Sequence, residues 1–364
     1  MLWTIISFAI IITLVIVSHE FGHYIVGRLN GINVNEFTVG MGPALYKKKG
    51  KHTTFAIRLL PIGGACIFQG MLPEEDEAEI EKELIEKAMK KAEDAVMEDD
   101  SEEDDEWGDS DKNANHKGTG RISEVTFKEG DFGAAPVWGR IATVLAGPFF
   151  NFIFAFLLSL ILVWFVGADI PVIQEVMEGY PAEAAGLESG DTILKINNEK
   201  IYLWREVSMI SMFNVGKPLE IEYKRDNQKY TTTITPQFST EDNRYYIGFK
   251  GGTASIDCKN LSVVKYAAIE VRYWFLATYR SIAHMVTGHG SKDDLAGPVG
   301  IADAIGDTIE NTKPYGVGYV VLSMLNMVIL LCVNVGVMNL IPFPALDGGR
   351  FVVLFVGERL WNFH

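Results

Sequence analysis

Cysteine is scarce in this chain. Cys66, Cys258 and Cys332 are the whole supply. Their number is odd and they lack the paired spacing of a thiolate metal site, which argues against a disulfide framework and leaves them as free thiols. Basic residues are thin as well: none precedes Arg28, and nothing resembles the positive surface that binds nucleic acid. Charge of either sign is missing from residues 2–18, 141–168 and 314–346. No internal repeat is evident, and three apolar stretches, one of them broken by prolines, leave little room for a transporter's alternating pathway.

Hydrophobic residues make up 48% of the 364, gathered into those uncharged runs. At about 1.5 Å rise per residue, roughly 20 apolar residues cross a bilayer core. Each run is long enough to span. The first does not read as a cleaved leader, because it lacks a basic start and continues into His19, Glu20 and Tyr24 without a small-residue cleavage site. The net charge of −15 is local: Glu74 to Asp111 carries 20 Asp plus Glu against 4 Lys, and the remainder is about neutral.

Lys and Arg mark cytoplasmic loops close to membrane ends. Arg28, Lys47, Lys48, Lys49, Lys51 and Arg58 arrive together, and after the second run the next basic residue is Lys195. This places the N-terminus outside, residues 29–136 inside, residues 169 to about 312 outside and Asp347 inside, so the first and third spans run parallel. The expected organisation is an α-helical polytopic membrane protein with three clear transmembrane helices, a membrane-associated β-sheet and an inserted β-rich domain. Its segments are a first span (1–29), a membrane-associated β region (30–70), an acidic cytoplasmic insert, largely disordered (71–118), and a second span (136–168). There follow an outer β-rich domain (170–250), an amphipathic interfacial helical region (258–312), a third span (314–341) and a C-terminal segment (342–364). Gly40, Gly42, Gly63 and Gly64 suit tight turns within the β region. Val172 to Val176, Thr192 to Ile196, Leu219 to Tyr223 and Tyr230 to Ile234 read as strands of the outer domain.

The sharpest local signal is His19-Glu20-Phe21-Gly22-His23. Four residues of helix advance about 400°, which puts both imidazoles on one face, about 6 Å apart along the axis. That spacing suits two ligands of one zinc ion, and Glu20, about 100° round the helix, is placed to take a proton from water. The pattern also arises by chance in unrelated proteins, and the three side chains could simply hydrogen-bond in an interfacial belt. Ionisable groups at the end of a membrane helix, however, are expensive and usually functional. His19 lies about 26 Å along a helix that enters near Leu2, close to the inner face of a core about 30 Å thick.

A catalytic zinc usually takes three protein ligands. Parallel first and third spans bring the segment just past the third span to the face of His19 and His23. Asn339-Leu340-Ile341-Pro342-Phe343-Pro344-Ala345-Leu346-Asp347-Gly348-Gly349 stands there. Pro342 and Pro344 break the helix, and Gly348-Gly349 are expected to let the backbone turn so that Asp347 faces the metal. Read more plainly, Asp347 is the N-cap of the next helix.

With the far Asn339/Pro342/Leu346-Asp347-Gly348 pattern, the chain resembles the site-2 proteases of family M50, in particular the bacterial members that release sigma factors. Further matches are Phe37-Thr38-Val39-Gly40-Met41-Gly42-Pro43, Leu60-Pro61-Ile62-Gly63-Gly64, Ala146-Gly147-Pro148 with Asn151, and Gly297-Pro298-Val299-Gly300-Ile301. The resemblance implies a zinc intramembrane metalloprotease of the bacterial plasma membrane. It implies Zn2+ on His19, His23 and Asp347, Glu20 as general base, and Asn334 and Asn339 holding substrate or the oxyanion. The strands from Phe55 through Gly63 and Gly64 would offer an edge to an unwound single-pass substrate, and residues 170–250 resemble one PDZ domain that filters substrates outside the cytoplasm. Two features depart from the family: the acidic insert, and an end at His364, with residues 350–364 too short to span, where relatives continue into a further membrane helix. The rival reading is a non-catalytic PDZ membrane scaffold with a vestigial metal site.

Overall fold

The computed structural model describes residues 2–70, 127–240, 244–288 and 297–361. The acidic insert of 71–118 lies outside them. Two compact units divide the chain, one of Met1–His19 with Pro148–Asn339 and one of Glu20–Gly147 with Leu340–His364.

Helix α1 spans Leu2–Leu29 and contributes to both units. A pair of long strands follows, β1 (Val34–Lys49) and β2 (Thr54–Phe68). Their pairing is folded: Glu36 to Val39 lie between Thr54 to Ile57 on one side and Gly64 to Ile67 on the other, while Tyr46 to Lys49 pair back onto Thr54 to Ile57. Contrary to expectation, Gly40, Gly42, Gly63 and Gly64 stand inside the strands, not in turns. Three of them, Gly40, Gly42 and Gly63, have φ between +85° and +89°, which only glycine adopts without strain. They mark register shifts at which the strands bend. At Gly40 a Cβ would sit 2.4 Å from the Leu60 carbonyl oxygen. Ile32, Val34 and Phe68 form the buried centre of this unit, with Tyr24, Cys66 and Phe132 packed around them.

Helix α2 (Val137–Val166) is the second long apolar helix. Pro148 interrupts it, removing one backbone donor and crowding the Val144 carbonyl four residues earlier. Then come β3 (Ala168–Asp169), β4 (Ile173–Val176), the short α3 (Pro181–Ala184), β5 (Thr192–Ile196), β6 (Glu199–Lys200), α4 (Trp204–Phe213), β7 (Leu219–Arg225) and β8 (Gln228–Ile234). The domain closes with β9 (Gln237–Ser239), β10 (Arg244–Tyr246), β11 (Phe249–Gly251) and β12 (Ser255–Ile256). An antiparallel sheet of order β6-β5-β7-β8 packs Ile193, Ile196, Leu219, Ile221 and Ile234 against Val207 and Ile210 of α4. Alternate residues of β7 point inward and outward, so the period-two hydrophobic pattern does fix its register.

Helices α5 (Leu261–Val286), α6 (Pro298–Thr312), α7 (Val317–Asn339) and α8 (Asp347–Trp361) complete the chain. A clamp ties α5 to the β-rich domain. Arg205 of α4 donates to both carboxylate oxygens of Glu270 at 2.8 and 2.9 Å and to Asp169 at 3.0 Å. Among the described residues, three helices are long and apolar enough to cross a membrane: Trp3–Leu29, Val137–Val166 and Val317–Asn339. Within the first unit they pack Ile11, Val15, Ala155, Ile329, Cys332 and Val333 together. Large apolar side chains such as Ile5, Ile10, Leu157 and Phe165 face outward, which suits contact with lipid in place of water.

Candidate metal centre

His19 and His23 lie one turn apart on the continuous helix α1, and Asp347 is the first residue of α8. The His23 Nε2 atom is 3.4 Å from Asp347 Oδ2. Ligand atoms of His19, His23 and Asp347 all lie within 4.8 Å of one another. No cysteine belongs to this group, and burial pushes the Cys66 thiol well above its usual range, with the Glu20 charge adding to the effect.

The ring of His23 is oriented by the backbone. Its Nδ1 is 2.9 Å from the Thr143 carbonyl oxygen on α2. A carbonyl can only accept, so Nδ1 carries the proton and donates. In the neutral ring Nε2 then presents its lone pair to the Asp347 carboxylate, itself an acceptor. Two acceptors at 3.4 Å are completed only by a second proton on the ring or by a cation between them. Two imidazoles and a carboxylate with an orienting carbonyl behind one imidazole form a donor set that fits a divalent zinc-type ion.

Asp347 reaches this position through a tight loop. Phe343 N donates to the Ile341 carbonyl at 2.7 Å and Leu346 N to the Phe343 carbonyl at 2.9 Å, after which Gly349 N and Arg350 N both turn to the Leu346 carbonyl. Asp347 therefore starts a helix and also faces His23. Gly348 and Gly349 have helical backbones and do not supply the turn, as the sequence had suggested. They are needed because loop carbonyls lie against them: a Cβ on Gly348 would be 2.3 Å from the Ile341 oxygen, and one on Gly349 would be 2.2 Å from that of Phe343.

Glu20 is half-buried on α1 between the two histidines. Asn339 ends α7, and Asn334, one turn or so earlier, accepts a hydrogen bond from the Thr278 hydroxyl of α5. Gly64 pairs with Val39, and Gly63 stands beside Met41, on the outer β2 segment. Sequence reasoning missed the Thr143 carbonyl and the Thr278 hydroxyl. A backbone acceptor leaves no residue signature, and a threonine in an amphipathic helix is unremarkable until its neighbour is known.

Helices long and apolar enough to cross a membrane, with two histidines and a carboxylate brought together, define a membrane protein with a candidate metal centre. The chain belongs to peptidase family M50, whose model matches residues 7–362. It is 32% identical to the regulator of sigma-W protease RasP of Bacillus subtilis, over 97% of this chain and 89% of that protein. It is 31% identical to the zinc metalloprotease RasP of Bacillus licheniformis, over 97% of this chain and 90% of that one. Part of the chain is similar to the PDZ domain of an SdrC-like protein from Listeria monocytogenes, at 23% identity and a TM-score of 0.21, covering 24% of this chain and 90% of that one.

Proposed function

We propose that this protein is a zinc metalloprotease that hydrolyses peptide bonds of single-pass membrane proteins within the bilayer. The observation that carries the reading is the convergence of His19, His23 and Asp347 ligand atoms within 4.8 Å, with both histidines in the second half of an apolar helix. These three residues would hold the ion. Zinc, when bound, acts as a Lewis acid that polarises a carbonyl and acidifies water. The protein's own residues do the rest. Thr143 holds the His23 ring in one tautomer, Asp347 offsets positive charge in a low dielectric, and Glu20 takes the proton from the attacking water and passes it to the leaving amine.

A helical substrate hides its peptide bonds, so the scissile segment must be unwound. The β2 segment at Gly63 and Gly64 is suited to catch it by strand addition, since Gly64 to Ile67 pair with β1 on one side only among the described residues. Asn339 and Asn334 would add polar contacts to the substrate or the oxyanion. The segments divide as the sequence suggests, with residues 170–250 acting as a PDZ-type filter for substrate ends. The distribution of basic residues supports a multi-pass protein of the bacterial plasma membrane, with the site near the cytoplasmic face and the filter outside. Suitable substrates are anti-sigma factors or signal-peptide-like remnants, the former in keeping with the name of the Bacillus subtilis relative.

A membrane-embedded reporter tests this. Cleavage should be sensitive to zinc chelation, Glu20→Gln should abolish it while zinc stays bound, and His23→Ala should lose the metal. Normal turnover by Glu20→Gln would refute the assigned base, and no cleavage by the wild type would favour a PDZ scaffold. Deleting residues 170–250 should leave cleavage of a trimmed substrate intact and raise that of an untrimmed one.

A further inference from the structure

Asn151 of α2 is fully buried, and neither its Nδ2 nor its Oδ1 has a hydrogen-bond partner among the described residues. Its neighbours on α2, Phe152 and Ala155, belong to the apolar cluster of the helix bundle. An unpaired amide in such surroundings costs stability that an apolar side chain of similar size would not. Two other polar groups of the same unit are satisfied: Asn334 by Thr278, and Ser18 by the Phe150 carbonyl at 3.2 Å. The Ser159 hydroxyl and Asn326 Oδ1 share the deficit, but a helical hydroxyl can rotate toward its own preceding turn. Among the buried side-chain amides of the described residues, Asn151 alone lacks partners at both ends.

Its place gives the cost a use. Ser18, bonded to Phe150, precedes His19 on α1, and Phe150 precedes Asn151 on α2, all within one unit. Asn151 therefore stands at the level of the α1 turn that carries His19. A substrate segment unwound there exposes peptide N–H and C=O groups that hydrocarbon cannot satisfy. A carboxamide is the side chain that offers both a donor and an acceptor to such a group.

We propose that Asn151 is a substrate-binding residue that pairs with a main-chain amide of the unwound segment beside His19. This rests on the proteolytic reading above. Because Asn151 is covered in this structure, it engages the substrate only when the surrounding helix surface opens. The contact is made to the bound, unwound chain and persists through the reaction, so its loss raises KM with kcat preserved.

The test uses full-length Asn151→Leu and Asn151→Ala, with capture of uncleaved reporter measured in the Glu20→Gln background. Asn151→Leu should melt no lower than the wild type, with zinc content unchanged, KM raised and capture weakened by about tenfold, the worth of one good hydrogen bond. Unchanged KM and capture in a wild type that cleaves would overturn the proposal alone. So would a fall in melting temperature and kcat in both variants at constant KM, which would make Asn151 structural. No cleavage by the wild type would remove proteolysis and this proposal together.

Discussion

Gly348→Ala is the smallest change that should dismantle the candidate metal centre without touching a proposed ligand. Its added methyl would lie 2.3 Å from the Ile341 carbonyl oxygen and 2.6 Å from that of Leu340. Both are backbone atoms, so no rotamer change relieves the clash. Ordinary contact begins at 3.4 Å, so either the loop before Asp347 or the first turn of α8 must give way by about 1 Å. Metal ligands tolerate only about 0.2 Å, and a misplacement of about 1 Å at a reacting centre can cost about 100-fold in rate. The variant is therefore expected to retain zinc poorly after dialysis and to cleave a membrane reporter about 100-fold more slowly. Gly357→Ala, further along α8 with nothing within 4 Å of its Cβ, is the control. It should be neutral or slightly stabilising, since alanine favours helix by about 1 kcal/mol. Wild-type zinc content and cleavage in Gly348→Ala would show that the loop yields freely and that close packing does not position Asp347.

The clamp between the β-rich domain and α5 makes a second prediction. Burial pushes the Glu270 carboxyl up, only partly offset by Arg205, while burial lowers the Arg205 guanidinium less than Glu270 and Asp169 raise it. Arg205→Met should therefore strand a buried carboxylate and cost about 3–5 kcal/mol in denaturant unfolding. Adding Glu270→Leu should recover most of the loss, and a double variant no better than the single would refute the assignment. Hydrogen bonds from Lys195 and Lys229 hold the Glu222 carboxyl below its usual range. A depressed carboxylate contributes stability above its unfolded value and loses it as pH falls through the folded one. The stability gap between the wild type and Glu222→Gln should thus be present at neutral pH and close below about pH 4, as read by a pH series of unfolding curves.

The three apolar helices were legible because crossing hydrocarbon demands a length and composition that little else in a sequence imitates. The strands read at Thr192 to Ile196 and Leu219 to Tyr223, the latter running on to Arg225 in the structure, were legible for the related reason that one face of each is buried. The β1–β2 pair was read less well. Gly40 and Gly63 look like turn residues, yet they sit within strands where positive φ demands glycine, helped at Gly40 by the close Leu60 carbonyl and at Gly63 by the Met41 side chain. Composition reports that a residue without a Cβ is needed and is silent on whether a turn or a neighbour needs it. The same ambiguity led Gly348 and Gly349 to be read as turn residues.

At the site the division has a simple physical cause. The spacing of His19 and His23 is a property of one helix, and the helical repeat alone puts both rings on one face. The 3.4 Å approach of Asp347 to His23 joins residues separated by most of the chain, and it depends on where α8 begins and how the preceding loop folds. The orientation of the His23 ring depends on a carbonyl of α2, and every residue carries a carbonyl. Sequence determined which side chains could take part, because chemistry resides in side chains. Tertiary structure decided which of them meet and which tautomer they present, because distance and hydrogen-bond direction come from packing between elements far apart in the chain.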